Sequence, residues 1–342
     1  MPVDFLTAEQ ESKYGKYNGD PMPEQLSKYF WLDDNDRVSV FRHRGNHNCL
    51  SFAIQLGTVR YLGTFVSDFG DVPEIVINYV ARQLKIETID LTHYGNISSN
   101  KSFWTHTQEI RQNYKYRDFT EQPFHLRLAR WLYSRAWISA ERPSVLFDLA
   151  TARCVENKIL LPGVTVMERL IAQVRDRASI RLWRKLGKLP NDDQRIMLEK
   201  LLDTEPGSRN TLLDILRQPP TTATPKGLLI AIDRLERLRL IGAMEWNLSG
   251  IPVGRLRVLS RYASMARAQT IERMNYERRI ATLVSFAIAF TISAQDDVIE
   301  IMEIIFTNTF RKSDNKGKKN RIRTIKDLDS AARRLREVCS YL

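Results

Sequence analysis

An all-α fold follows from three features of this 342-residue chain. From residue 48 onward, apolar residues recur at three- and four-residue spacing, the period of an α-helix. Strand-like alternation bounded by turn signals is nearly absent. Breaks rich in Gly, Pro and polar residues interrupt the periodic runs at 18–25, 67–73, 161–165, 203–210, 217–227 and 312–320. The chain is read as a first helical module over 1–120, a second, basic one over 121–203, and a helical region over 204–342 with a basic loop at 311–323. The Pro- and Thr-rich piece around Pro219 and Pro220 is the strongest boundary signal.

With 43% hydrophobic content, a chain of this length can bury a sizeable core. "MPVDFLTAEQ" sets Asp4 and Glu9 where a secretory signal carries Lys or Arg ahead of an apolar run, so the expected compartment is the cytoplasm. Cys49, Cys154 and Cys339 are far apart and odd in number, which indicates neither a disulfide framework nor a clustered zinc site. The most apolar run, Ile280–Ala294, contains Thr282, Ser285, Thr291 and Ser293 and predicts a buried helix rather than a membrane span. The net charge of +12 is uneven: residues 1–120 sum to −2, whereas residues 121–190 alone sum to +7. A helical segment of that sign fits a polyanion such as nucleic acid, and equally a solvated basic face.

In the stretch "FRHRGNHNCLSFAIQLGTVRYLGTF", Phe41–Phe65, His43, His47 and Cys49 raise the question of zinc, but no fourth Cys or His lies within forty residues, and no metal is expected. From Asn48, Leu50, Ile54, Tyr61, Leu62 and Phe65 line one side of a helix, while Phe52, Leu56 and Val59 make a second side apolar. Such a helix is central and buried. Its polar approach carries Arg42, Arg44, Asn46 and Asn48, at a helix start whose unpaired N–H groups favour phosphate. A simple capping loop accounts for the same residues.

Pro73 suits the first position of the next helix, which packs Ile75, Val76, Tyr79, Val80 and Leu84 and presents Asn78, Arg82 and Lys85. A third, roughly 98–115, packs Phe103, Ile110 and Tyr114 and presents Lys101, Thr105, Gln108, Gln112 and Lys115. Helices with such Asn-, Gln- and Arg-bearing faces match a helix-turn-helix-like unit, in which these side chains read base edges. A helix over 124–138 buries Leu128, Trp131, Leu132 and Trp137 and shows Arg127, Arg130 and Ser134; Pro143 opens another.

In "LPGVTVMERLIAQVRDRA", Thr165 and Glu168 have capping-box spacing, which starts a helix at Val166. Leu170, Ile171 and Val174 point inward, and Arg169, Gln173 and Arg177 fall on one outward line, the best recognition-helix assignment. Arg181, Arg184 and Lys185 suit phosphate contacts. The preceding turn is longer than in a standard helix-turn-helix, and arginine stripes also serve as plain solvent faces. Further on, Leu228, Leu229, Ile232, Leu235 and Leu238 mark one amphipathic helix and Ile271–Phe290 another, suited to subunit association or to intrachain packing. The run "RKSDNKGKKNRIR" reads as a solvated linker or a nonspecific phosphate contact.

The collinear segments "MPVDFLTAEQ", "RGNHN", "AIQLGTVRYLGTF", "ARQLKI", "YSRAWISAERPSVLFDLA", "LPGVTVMERLIAQVRDRASIRLWRKL", "RLRVLSRYASMAR" and "KDLDSAARRLREVCSYL" resemble the N-terminal third of the replicative class II transposases, the Tn-three family. The resemblance runs the length of the chain. It implies helical modules that bind the terminal inverted repeats of the transposon as double-stranded DNA, then a region for homodimer contacts, in a bacterial, nucleoid-associated protein. It also implies that the RNase H-like domain, with its acidic residues and Mg²⁺, lies outside this sequence, so no cofactor is expected in this chain. Asp296 and Asp297, a tempting acidic pair, read as a helix junction. Within that resemblance Arg44, Asn46 and Asn48 gain as DNA contacts over metal binding. Two functions follow: sequence-specific repeat binding without chemistry, or an interaction fragment that regulates full-length transposase and touches DNA nonspecifically.

Overall fold

The computed structural model describes residues 5–66, 68–86 and 101–340. Among them are fifteen α-helices and no β-strand, only two isolated bridges. The contacts form two compact units, Met1–Ser179 and Ile180–Leu342. The border falls inside a helix rather than at the expected breaks near 203 and 219.

The first unit begins with three short helices, α1 (Ala8–Lys13), α2 (Pro23–Tyr29) and α3 (Asp34–Val40). Side-chain caps set their starts. Thr7 and Gln10 make a reciprocal capping box on α1, Asp33 and Asp36 make one on α3, and Pro23 occupies the first turn of α2. Helix α4 (Asn46–Leu62) is buried continuously from Cys49 to Val59, as its two apolar sides require. Its polar members are satisfied inside. The Gln55 amide accepts from the Val66 N–H at 2.9 Å and donates to the Val66 carbonyl at 3.2 Å, and the Thr58 and Tyr17 hydroxyls meet at 2.5 Å. Gly57 leaves the space that the Phe30 ring fills: a Cβ there would lie 2.2 Å from Phe30 Cδ1.

Helices α5 (Glu74–Leu84) and α6 (Lys101–Tyr114) complete the packing around α4. Pro73 precedes α5 as its cap rather than occupying the first turn. Asp36, buried at 1% exposure, joins three helices: both its oxygens accept from Arg60 of α4 at 2.8 Å, and the Tyr114 hydroxyl of α6 donates to it at 2.8 Å. Helices α7 (Phe124–Ile138), α8 (Pro143–Glu156) and α9 (Val164–Gly187) enclose a second core of Leu128, Leu132, Leu146, Phe147, Met167 and Ile171. The two cores lie in one compact unit, and backbone bonds link the elements that carry them. Leu161 donates to the Gly63 carbonyl at 2.9 Å, and Arg117 exchanges bonds with Lys158 and Leu160 at 3.0 and 2.9 Å. Gly63 ends α4 in the left-handed region, φ 74°, with no room for a Cβ beside Val155.

The second unit holds α10 (Asp192–Lys200), α11 (Leu212–Arg217), α12 (Pro225–Arg239), α13 (Val253–Met265), α14 (Ala268–Glu272) and α15 (Tyr276–Ser340). Pro219 and Pro220 sit between α11 and α12, inside this unit. The first part of α15 is its core: Ile280–Ala287 are buried, and Thr282, Ser285 and Thr291 return their hydroxyls to carbonyls four residues back at 2.7–2.8 Å. α15 contains the one span among the described residues long and apolar enough to cross a membrane by composition; half of that window is buried inside the unit. Asp297 pairs with the buried Arg234 of α12, while Asp296 on the same helix is exposed. The two aspartates are therefore not a helix junction. Nor is 311–323 a loop: the helix runs through it without interruption.

The Asp36–Arg60–Tyr114 cluster gives a prediction. Removing one partner of a buried ion pair leaves the other charge uncompensated, so Asp36→Asn should cost about 3–5 kcal/mol in urea unfolding. Burial raises the Asp36 pKa, but the Arg60 hydrogen bonds and charge, with Tyr114 and the Asp33 N–H, outweigh it and hold the carboxyl below its usual range. Its contribution is then present above the ordinary carboxylate pKa and lost as pH falls through the lower, folded value, so the gap between wild type and Asp36→Asn should narrow on acidification. A gap that stayed constant down to pH 2 would contradict this assignment.

Candidate nucleic-acid interface

Helix α9 carries an outward cationic face. Its inner side buries Met167, Leu170, Ile171, Val174 and Ala178. That leaves Arg169, Gln173 and Arg177 exposed one turn apart, with no hydrogen bond or ion pair among the described residues. Arg181, the next step on the line, is also exposed. The helix starts at Val164, two residues before the expected position, so Thr165 lies exposed in its first turn and is not a cap. Glu168 is buried and accepts from the Phe5 N–H at 3.4 Å, which replaces the expected capping box with a long-range contact. Arg184 and Lys185 are engaged within the second unit: Arg184 Nε pairs with Glu277 at 3.3 Å and Lys185 Nζ donates to the Gly250 carbonyl at 3.2 Å. The Arg184 pair is a surface one, weak enough to exchange for a phosphate.

On α7, Arg127, Arg130 and Ser134 are exposed as expected, beside exposed Leu126 and Ile138. Trp131 and Trp137 are only half-buried; the guanidiniums of Arg153 and Arg135 lie 4.6 and 5.7 Å from the Trp131 ring. On α5, Arg82 and Lys85 are exposed, and half-buried Asn78 lines a shallow pocket with Arg82, Asp20, Glu74 and Tyr79. On α6, Gln108 is half-buried, and the Lys101 side chain lies outside the described residues. Sequence reasoning passed over Trp104, which is 66% exposed on that helix. Its signal was present: a residue next to inward Phe103 lies about 100° around a helix and cannot share its face.

The entry to α4 divides into two roles. Arg42, Arg44 and Asn46 are exposed, and Gly45 caps the helix at φ 86°. Asn48 instead holds the loop, donating its amide to the Arg44 carbonyl at 2.8 Å. His43 turns inward onto Phe52 and His106, with ring centroids 4.5 and 4.6 Å away, and Cys49 donates to the His43 carbonyl at 3.3 Å. Among the described residues no three His, Cys, Asp or Glu side chains gather in a metal-ligand set. Burial, and secondarily the neighbouring His43, push the His106 pKa down to about 4.

Sequence comparison places this surface in a known context. A family model described as "Domain of unknown function (DUF4158)" matches residues 5–174. The chain is similar along its length to transposases of the Tn-three family, as a counterpart of their N-terminal third. It is 41% identical over its whole length to the transposase for transposon gamma-delta of Escherichia coli (strain K12), of which it covers 34%. It is 27% identical to the transposases for Tn1546 of Enterococcus faecium and Tn501 of Pseudomonas aeruginosa; these matches cover 87% and 86% of this chain and 30% and 29% of those proteins. The chain thus spans about a third of the length of these relatives.

Two measurements check the inward histidines. By NMR the His106 imidazole should titrate near pH 4. Because its folded pKa is lowered, its contribution to stability should be whole above about 6.5 and decline as pH falls from there toward 4. Elemental analysis should find no stoichiometric zinc; one zinc per chain, lost with His47→Ala, would restore the metal reading.

Proposed function

We propose that this chain binds the terminal inverted repeats of a transposon as duplex DNA, positioning a transposase on its element's ends without chemistry of its own. The observation that carries this reading is the unpartnered Arg169–Gln173–Arg177 face of α9, in a chain whose relatives are named as transposases. Arg and Gln at one-turn spacing are side chains suited to bidentate contact with guanine and adenine in the major groove, and a helix held from behind by a packed core presents them rigidly. Arg127 and Arg130 of α7, Arg82 and Lys85 of α5, and Arg42, Arg44 and Asn46 at the α4 entry supply phosphate contacts, which set register without reading sequence.

Cleavage and strand transfer, with the Mg²⁺ that supports them, fall in this reading to the parts of the transposase outside the matched third. Asp297 is occupied by Arg234, which fits a structural role for it. The protein works where DNA is, in the bacterial cytoplasm and on the nucleoid. Exposed Phe306, Phe310, Leu328 and Leu335 on α15 favour association of two copies, the alternative emphasis in which the chain acts chiefly as an interaction fragment.

Band shifts with terminal-repeat and scrambled duplexes test the proposal. Arg169→Ala or Gln173→Ala should cost about 1–3 kcal/mol on the repeat and little on scrambled DNA. Equal losses on both would move α9 from the groove to the backbone. No loss on either would return the face to solvent and leave the interaction reading.

A further inference from the structure

The distal part of α15 is, apart from the six-residue α1, the one helical stretch among the described residues that is exposed throughout. From Phe306 through Glu337 each residue is exposed, so no tertiary packing supports this stretch. Within it Lys312, Lys316, Lys319, Arg323 and Lys326 follow one another at steps of four, three, four and three. At 3.6 residues per turn they fall within about 80° of one another around the helix, a straight cationic stripe about 21 Å long. None of the five has an ion pair or hydrogen bond among the described residues, and Asp314, the acidic residue among them in sequence, lies on the far side of the helix.

This pattern opposes the helix that carries it. Lys312 with Lys316, and Lys319 with Arg323, are like-charge neighbours one turn apart, and Gly317 interrupts the stretch with a poor helix former. A helix without packing that also bears repulsion gains order when a polyanion neutralises the stripe. The side opposite the cations presents Asp314, Gly317, Arg321 and Thr324 with Ile325 among them, and Ile322 lies to one flank; two isolated isoleucines amid polar and small residues do not make the broad apolar face that a lipid surface requires. A duplex carries one charge per ~1.7 Å of its axis, dense enough to meet five cations over that length without base recognition.

We infer that residues 312–326 of α15 form a second, sequence-independent duplex-DNA contact, separate from the face on α9. The inference rests on the reading of duplex DNA as the partner of this chain, and it assigns a nonspecific share of that binding to a surface in the second unit.

The test replaces all five cations with Gln in the full chain, at positions whose exposure spares the core. Binding to a random-sequence duplex is measured across a salt series, beside wild type, Arg169→Ala and a control with the four lysines changed to Arg. Each phosphate contact contributes about 0.9 to the log–log salt slope, so the Gln variant should lose up to roughly 4.5 units of slope on random and terminal-repeat duplexes alike, keep its preference for the repeat, and leave the thermal unfolding midpoint unchanged. The Arg control should bind as wild type does. Far-UV circular dichroism should show helix content rising when wild type meets random duplex, and a smaller rise for the Gln variant. An unchanged slope in the Gln variant overturns the inference. So does a wild type whose stripe binds vesicles of anionic lipid while the duplex slope is untouched. If Arg169→Ala leaves repeat preference intact while the Gln variant loses slope, the reading of α9 fails and the contact on α15 stands.

Discussion

Burial of the middle of α4 on every side, from Cys49 to Val59, is the constraint on which the first unit depends. A helix apolar on every side has no solvent face, so its neighbours must surround it and each polar atom it carries needs a partner inside. Gln55, Thr58 and Arg60 find theirs in the loop at Val66, in Tyr17 and in Asp36. Those three bonds fix the loop after α4, the segment between α1 and α2, and α3. Through Gly63 the end of the same helix is bonded to the strap ahead of α9, so the helix that presents the arginine face is referenced to the deepest element of the unit.

Much of this was legible in the periodicity. The span of α7, the inward residues of α9 and the buried start of α15 follow from apolar residues at helical spacing, and Pro143 marks the start of α8. Helices α1 to α3 were not visible that way. At six or seven residues they are too short to show a period, and caps such as Thr7–Gln10 and Asp33–Asp36 define them instead. Thr165 and Glu168 show the converse failure: the right spacing for a cap, but Glu168 is buried and accepts from the distant Phe5 N–H instead.

The candidate interface was legible wherever exposure alone decides it, as for Arg127, Arg130, Arg169 and Gln173. It was illegible where tertiary partners intervene. Nothing local to Arg184 announces Glu277, ninety-three positions on, nor to Asp297 the buried Arg234 sixty-three positions back. Composition marked 311–323 as linker, because Lys, Asn and Gly are common in loops; the helix continues there because its backbone bonds do not depend on apolar side chains.

The fit of Phe30 against Gly57 bears on how such a sequence can drift. With the ring 2.2 Å from where a Cβ would sit, any side chain at 57 displaces the benzyl group, and any smaller residue at 30 opens a void beside α4. Neither site can vary alone without loss, so the two behave as one heritable unit. A lineage that fills position 57 must pass through a destabilised intermediate or acquire a smaller residue at 30 in the same step. Paired substitution at these two places would be a trace of this packing contact readable from sequences with no coordinates at hand.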